Sequence, residues 1–279
     1  MKKHKIDKTQ FYNFIFGTIF VIGFLLLIYP WIANIINQHQ QSLAISTYQQ
    51  IIEQSDDQIY EEELKKAYEY NQHIDQYPSL SEAYHFENKS DDAVYNSLLN
   101  LGGMEIMGIL RIPVIDVELP IYHGTDAAVL QVGVGHLKGS SLPVGGKSTH
   151  SVITGHTGLP SSKLLSDADQ LEKGDIFYID VLKQTLAYEV TDVRSVLPDD
   201  TESLNIVEGE DLCTIVTCTP YGINTHRLLV TGRRIAYVDM SKELNDEVLR
   251  IPVRLILLVI WIILFIIYII IYQKKKRHI

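Results

Sequence analysis

The stretch Thr214-Ile-Val-Thr-Cys-Thr-Pro-Tyr-Gly-Ile-Asn-Thr-His-Arg-Leu-Leu-Val-Thr-Gly232 decides how this chain folds. Ile215, Val216 and Thr217 are β-branched and suit a strand, and Leu228, Leu229, Val230 and Thr231 supply a second. Between them, Pro220-Tyr221-Gly222-Ile223-Asn224 carries strong turn chemistry. The run therefore reads as two antiparallel strands joined by a loop. Cys218 ends the first strand and Arg227 begins the second, so the loop folds a thiol and a guanidinium towards one pocket. A thiolate attacking an amide needs a fixed positive group to hold the oxyanion that develops.

An imidazole completes such a set, and Thr154-Gly-His-Thr-Gly158 offers one. Ser151–Thr154 reads as a strand, and the flanking glycines leave His156 on an open strand end. A Cys, a His and an Arg on separate strand ends make an acyl-transfer site. The other histidines of the ten, including His123, His136, His150 and His226, are scattered without metal-site spacing and read as structural. Gly133-Val-Gly-His and Val144-Gly-Gly lack the context of a phosphate-binding loop.

The run at 217–228, Thr-Cys-Thr-Pro-Tyr-Gly-Ile-Asn-Thr-His-Arg-Leu, resembles the signature of the sortases, specifically class C, the pilin-polymerising branch. The likeness extends to Leu119-Pro-Ile-Tyr-His-Gly-Thr125, Gly133-Val-Gly-His-Leu137, Ser141-Leu-Pro-Val-Gly-Gly146 and Thr154-Gly-His156, and so spans roughly residues 104 to 235. The resemblance implies a mainly β fold, a sortase-type closed eight-stranded barrel, with N-terminal helices and a transmembrane helix at each end. It implies Cys218 as nucleophile, His156 as general acid and then base, and Arg227 as the group that stabilises the oxyanion or substrate carbonyl. The implied reaction cleaves an LPXTG-like sorting signal between Thr and Gly and passes the acyl group to a lysine amine of the next pilin. It needs no cofactor and no metal. Three alternatives stand beside it: a wall-anchoring sortase with a lipid II amine as acceptor, a cysteine peptidase, and a non-catalytic membrane scaffold for pilins.

The ends of the 279-residue chain fix its setting. Phe11–Ile36 carries no charge, and Leu255–Tyr272 is an unbroken apolar run of 18 residues. At ~1.5 Å per residue such runs match a hydrocarbon core of ~30 Å. Lys2, Lys3, Lys5 and Lys8 precede the first, and Lys274, Lys275, Lys276 and Arg277 follow the second, so both tails are expected in the cytoplasm. The first run is long and no small-x-small cleavage site follows it, which favours a retained anchor over a signal peptide. Pro30 is expected to kink it near the outer interface, beside Tyr29 and Trp31. The expected organisation is a cytoplasmic tail (1–10), a transmembrane signal anchor (11–36), an extracellular helical stalk with a lid region (37–103), the catalytic barrel (104–240), a juxtamembrane linker (241–254), a transmembrane helix (255–272) and a basic cytoplasmic tail (273–279). The family implies a Gram-positive plasma membrane.

Between the tails lie 16 basic and 33 acidic residues, a formal charge of −17, which argues against nucleic acid as a partner. Only Cys213 and Cys218 are present; five positions apart on one strand, they face opposite sides and do not bridge. Residues 38–77 read as two helices, the second started by a capping box at Ser55-Asp-Asp-Gln58. Class C sortases carry a lid with an Asp-Pro-aromatic plug, and here Gln76-Tyr77 precede Pro78, so the motif is absent. Either the lid is lost or another group, such as Tyr84 or Phe86, does its work. Strands are expected at 106–112, 114–121, 150–155, 176–182, 185–196, 211–219 and 227–238, with a glycine-rich loop at 123–149 and a short helix at 161–171.

Overall fold

The computed structural model describes residues 8–74 and 93–237. Eight strands close into a barrel: β1 (Ile106–Ile112), β2 (Val117–His123), β3 (Val134–His136), β4 (Thr149–Thr154), β5 (Ile176–Val181), β6 (Gln184–Val196), β7 (Asp211–Thr219) and β8 (His226–Ile235). Their order around the barrel is β1-β2-β3-β4-β7-β8-β6-β5, with β5 pairing back onto β1. Two pairs are parallel, β2 with β3 and β4 with β7, and the rest are antiparallel. Closure leaves no free sheet edge.

The expected strands at 106–112 and 211–219 match the structure residue for residue, and the others shift by a few positions. Pro113 turns the chain into a 3-10 segment, Pro113–Ile115, so the second strand starts at Val117 rather than at 114. The glycine-rich loop at 123–149 holds the eighth strand, β3, which is only three residues long and contains a glycine. The expected helix at 161–171 is instead a series of turns with a 3-10 segment at Ala168–Gln170.

The helices pack outside the barrel. Helix α1 (Lys8–Gln54) is a single rod of 47 residues, continuous through Pro30. It is long and apolar enough to cross a membrane, and Phe16, Leu25, Leu26 and Leu27 are exposed along it. Beyond the apolar run one face becomes buried, through Gln41, Ile45, Tyr48 and Ile52, at helical spacing. The Tyr48 hydroxyl donates to the Met107 carbonyl (3.1 Å) and accepts from Leu182 N–H (2.9 Å), tying α1 to β1 and to the β5–β6 turn. The expected first stalk helix is thus the same helix as the apolar run, because nothing between Ile36 and Gln54 breaks it.

Helix α2 (Asp57–Gln72) begins at Asp56, whose carboxylate accepts from Gln58 N–H; Ser55, the expected cap, instead donates to Ile51 O in the last turn of α1. Asn71 clips α2 to the barrel, accepting from Leu142 N–H (2.7 Å) and donating to Leu142 O (3.2 Å). Helix α3 (Ala93–Ser97) buries Tyr95, and α4 (Ala127–Val132) leads into β3. The proposed lid residues Tyr84 and Phe86, Pro78 and the second apolar run 255–272 lie outside the described residues.

Three histidines brace the barrel as structural groups. His150 bonds Asn205 O and Thr214 Oγ1, and His123 bonds Glu105 O and Leu98 O. His136, fully buried, donates from Nε2 to Ser141 O and stands 2.9 Å from the Tyr95 hydroxyl through Nδ1. Burial lowers its pKa from 6.5 to about 4. The unfolded chain therefore binds this proton below pH 6.5 while the folded one does not until about pH 4. Stability contributed by neutral His136 is complete above that window and is lost on the order of 3 kcal/mol as pH falls through it. Urea midpoints measured between pH 7 and pH 4.5 are expected to fall on acidification, with a shallower slope in His136→Gln.

Candidate active site

Strand β7 carries the stretch with Cys213 and Cys218, and its two neighbours carry the other candidates. Antiparallel pairing sets Val216 opposite Leu229 and Cys218 opposite Arg227. Parallel pairing sets Val152 beside Thr214 and Thr154 beside Val216, and Gly155 N–H continues the ladder to Val216 O (3.0 Å). One step further brings His156 level with Cys218.

Side chains alternate between the two faces of a sheet. Cys213, Ile215, Ile153, Leu228 and Val230 lie in the main barrel core. Val152, Val216 and Leu229 lie on the other face, in a second apolar cluster with Leu137 and Leu204. His156, Cys218 and Arg227 share the parity of that second set: two steps on from Thr154, two from Val216 and two back from Leu229. The structure therefore brings all three residues to one outer face of β4, β7 and β8, at one end of the barrel. Each is partly buried. Leu204, from the 3-10 turn Glu202–Leu204 between β6 and β7, packs in the adjoining apolar cluster. Cys213, by contrast, is fully buried in the core, where desolvation raises its thiol well above the ordinary range.

Local sequence shapes each position. The β7–β8 turn closes through Ile223 and Asn224 N–H bonds to Pro220 O, both 3.0 Å, with Gly222 in the left-handed region (φ 75°). Arg227 Nη1 reaches back to the carbonyls of Asn224 (3.4 Å) and His226 (3.3 Å), which sets the guanidinium across the turn. Next to the histidine, Gly155 admits a close neighbour: a Cβ there would stand 2.7 Å from Leu165 Cδ1 and 2.9 Å from Val134 Cγ1. The His156 carbonyl accepts from Leu165 N–H (3.3 Å). Partial burial lowers the His156 pKa below 6.5, so the imidazole is neutral at pH 7.

Sequence reasoning missed a pair of hydroxyls beneath the site. Thr217, next to Cys218, and Thr157, next to His156, are buried and hydrogen-bonded to each other. Thr217 Oγ1 also donates to Gly155 O (2.9 Å), and Thr157 Oγ1 lies 3.3 Å from Leu165 O. The pair ties the strand end of the imidazole to that of the thiol. Both residues stand in the quoted motifs, but a threonine in a strand reads first as a β-former. His226 faces its neighbour Thr225 through Nδ1 (3.0 Å) and is only partly buried at the turn. Among the described residues no group of three or more His, Cys, Asp or Glu gathers to hold a metal ion.

A closed barrel that sets a thiol, an imidazole and a guanidinium on three adjacent strand ends has the layout of a cysteine transpeptidase. Comparison with known proteins agrees: the sortase domain model matches residues 110–235. Sortase D of Bacillus subtilis is 31% identical over 152 residues, covering 53% of this chain and 74% of that protein. The chain belongs to the sortase family. Its structural neighbours are sortases of class C. Sortase C-1 from Actinomyces oris shares 46% identity at a TM-score of 0.61, covering 64% of this chain and 99% of that one. Sortase C of Streptococcus pneumoniae, described for its catalysis and pilin substrate specificity, shares 44% identity at a TM-score of 0.65, covering 69% and 96%.

Two outcomes follow from this geometry. Thr217→Val keeps the strand shape but removes the tie; kcat is expected to fall about tenfold, a barrier increase of about 1.4 kcal/mol, with little change in KM. Titration of the His156 ring followed by NMR is expected to give a midpoint below that of free histidine. A midpoint above it would show that the ring is held as imidazolium.

Proposed function

We propose that this sortase is a pilin-polymerising transpeptidase that uses Cys218 as nucleophile, His156 as proton carrier and Arg227 as carbonyl clamp. The observation that carries the reading is the shared parity of the three residues on adjoining strands. Likeness to class C structures, one of them described for pilin substrate specificity, supports the pilin as substrate.

In this reading the Cys218 sulfur attacks the carbonyl carbon of the threonine in an LPXTG-like signal. Its proton passes to the neutral imidazole of His156, and the guanidinium of Arg227 faces the developing oxyanion. Collapse breaks the Thr–Gly C–N bond as His156 hands the proton to the leaving amine, leaving a thioester on Cys218. A pilin lysine amine then attacks the thioester, His156 accepts its proton, and the C–S bond breaks. An isopeptide bond is formed and the thiol is regenerated.

The protein is placed by this reading at the plasma membrane, with α1 as a retained anchor, the run at 255–272 as a second span, both tails cytoplasmic and the barrel outside. Its partners are pilins that carry a sorting signal and an acceptor lysine. Mass spectrometry of the enzyme with a sorting-signal peptide and a lysine-bearing pilin domain tests the reading. A thioester on Cys218 followed by an isopeptide product is expected, and Cys218→Ala is expected to form neither. A thioester that ends only in free acid would point instead to a peptidase.

A further inference from the structure

The turn between β7 and β8 owes its shape to its backbone more than to packed side chains. Tyr221 and Ile223 are 62% and 68% exposed, and Asn224 is exposed beside them. The Pro220 carbonyl collects two N–H groups, those of Ile223 and Asn224. One edge of the Tyr221 ring lies against Gly158, where a Cβ would stand 3.5 Å from Cε2, so the turn abuts the segment that follows His156. Two residues of the turn are left-handed, Gly222 at φ 75° and Asn224 at φ 59°. Glycine takes that conformation freely. A residue with a Cβ takes it at a steric cost, and asparagine is one of the few side chains that visit it routinely.

The left-handed step at 224 decides where the carbonyl of that residue goes. Arg227 stands three residues on, paired with Cys218 across the ladder. Its Nη1 donates to Asn224 O (3.4 Å) and to His226 O (3.3 Å), so one nitrogen is held between two carbonyls. The His226 ring is turned to its neighbour instead, with Nδ1 3.0 Å from Thr225 Oγ1. A guanidinium is planar, so holding one of its nitrogens sets the direction of the other donors of the fork. An extended or right-handed residue at 224 would swing its carbonyl away from Nη1 and undo this two-sided hold.

We propose that Asn224 is a positioning residue for the transfer reaction: its left-handed backbone aims the carbonyl that holds the Arg227 guanidinium opposite Cys218. The inference rests on the proposed role of Arg227 and adds the residue that sets it. What counts at 224 is the backbone conformation, not the amide group, and this fixes the order of substitutions in advance. Glycine and asparagine accept a positive φ, alanine does so less well, and the β-branched valine worst.

The test uses the full chain in detergent micelles with a sorting-signal peptide and a lysine-bearing pilin domain. Asn224→Gly is expected to keep kcat within about twofold of the parent, and Asn224→Val to lower it about tenfold at unchanged KM. Asn224→Ala is expected to fall between them, and it carries the comparison if circular dichroism shows the valine variant unfolded. A second readout is the Nε–H resonance of Arg227 in protein made with isotope-labelled arginine, assigned by its loss in Arg227→Ala. It is expected to stay in place in the glycine variant and to move towards the signals of exposed arginines in the valine one. A glycine variant as slow as the valine one would assign the effect to the amide side chain and overturn the proposal. A valine variant with the parent kcat, or one that is slow with the Arg227 signal unmoved, would overturn it too. If Arg227→Ala turns over like the parent, the reading of the site itself falls, and this inference with it. A slow Arg227→Ala beside an unchanged Asn224 series removes this inference alone.

Discussion

Strand β7 must satisfy two different ladders at once, a parallel one to β4 and an antiparallel one to β8, and the rest of the site depends on that double register. A slip of one residue on either side would turn Cys218 into the barrel and bring Cys213 out. The two cysteines show how much the register decides. They share a strand and a side-chain type, yet one is an inert core thiol and the other stands beside an imidazole and a guanidinium. Core packing through Cys213, Ile215 and Val230 on one face, and through Val152, Val216 and Leu229 on the other, resists such a slip because each set is packed among its own buried neighbours.

Polar groups do the finer work. Asn71 spans both backbone groups of Leu142, Tyr48 bridges β1 and the β5–β6 turn through one hydroxyl, and the buried histidines each join separated segments. Loss of one partner would leave a buried donor or acceptor exposed to the full desolvation penalty of ~1–3 kcal/mol. The Thr157–Thr217 pair belongs to this group, and its position joins the strand end that carries His156 to the one that carries Cys218.

Most of the barrel was legible in the sequence, because β-branched alternation and Pro/Gly punctuation mark the longer strands directly. Strand β3 was not, since three residues with a glycine among them carry no periodic signal, and its existence follows from parallel pairing to β2 rather than from propensity. The start of α2 was placed near Ser55 by the capping pattern, but Asp56 binds the free N–H group more directly. Pro30 reads as a kink, yet the helix continues through it. At the site, Cys218, His156 and Arg227 were visible through their motifs. The threonine tie was not, because it joins residues distant in sequence and leaves no local pattern.

The parallel pairing of β4 with β7 has a temporal consequence. Gly155 and Thr217, which meet at the site, are 62 residues apart in the chain. Contacts of such long range form slowly, since the intervening loop must be ordered before they contribute. β8, the last strand of the barrel to leave the ribosome, lies between β6 and β7 and bonds to both. A nascent chain thus carries its imidazole early and its thiol late, and gains its guanidinium only as the final strand slots into place. The three side chains meet only when the domain is whole, so a half-made chain cannot yet bring thiol, imidazole and guanidinium to one face.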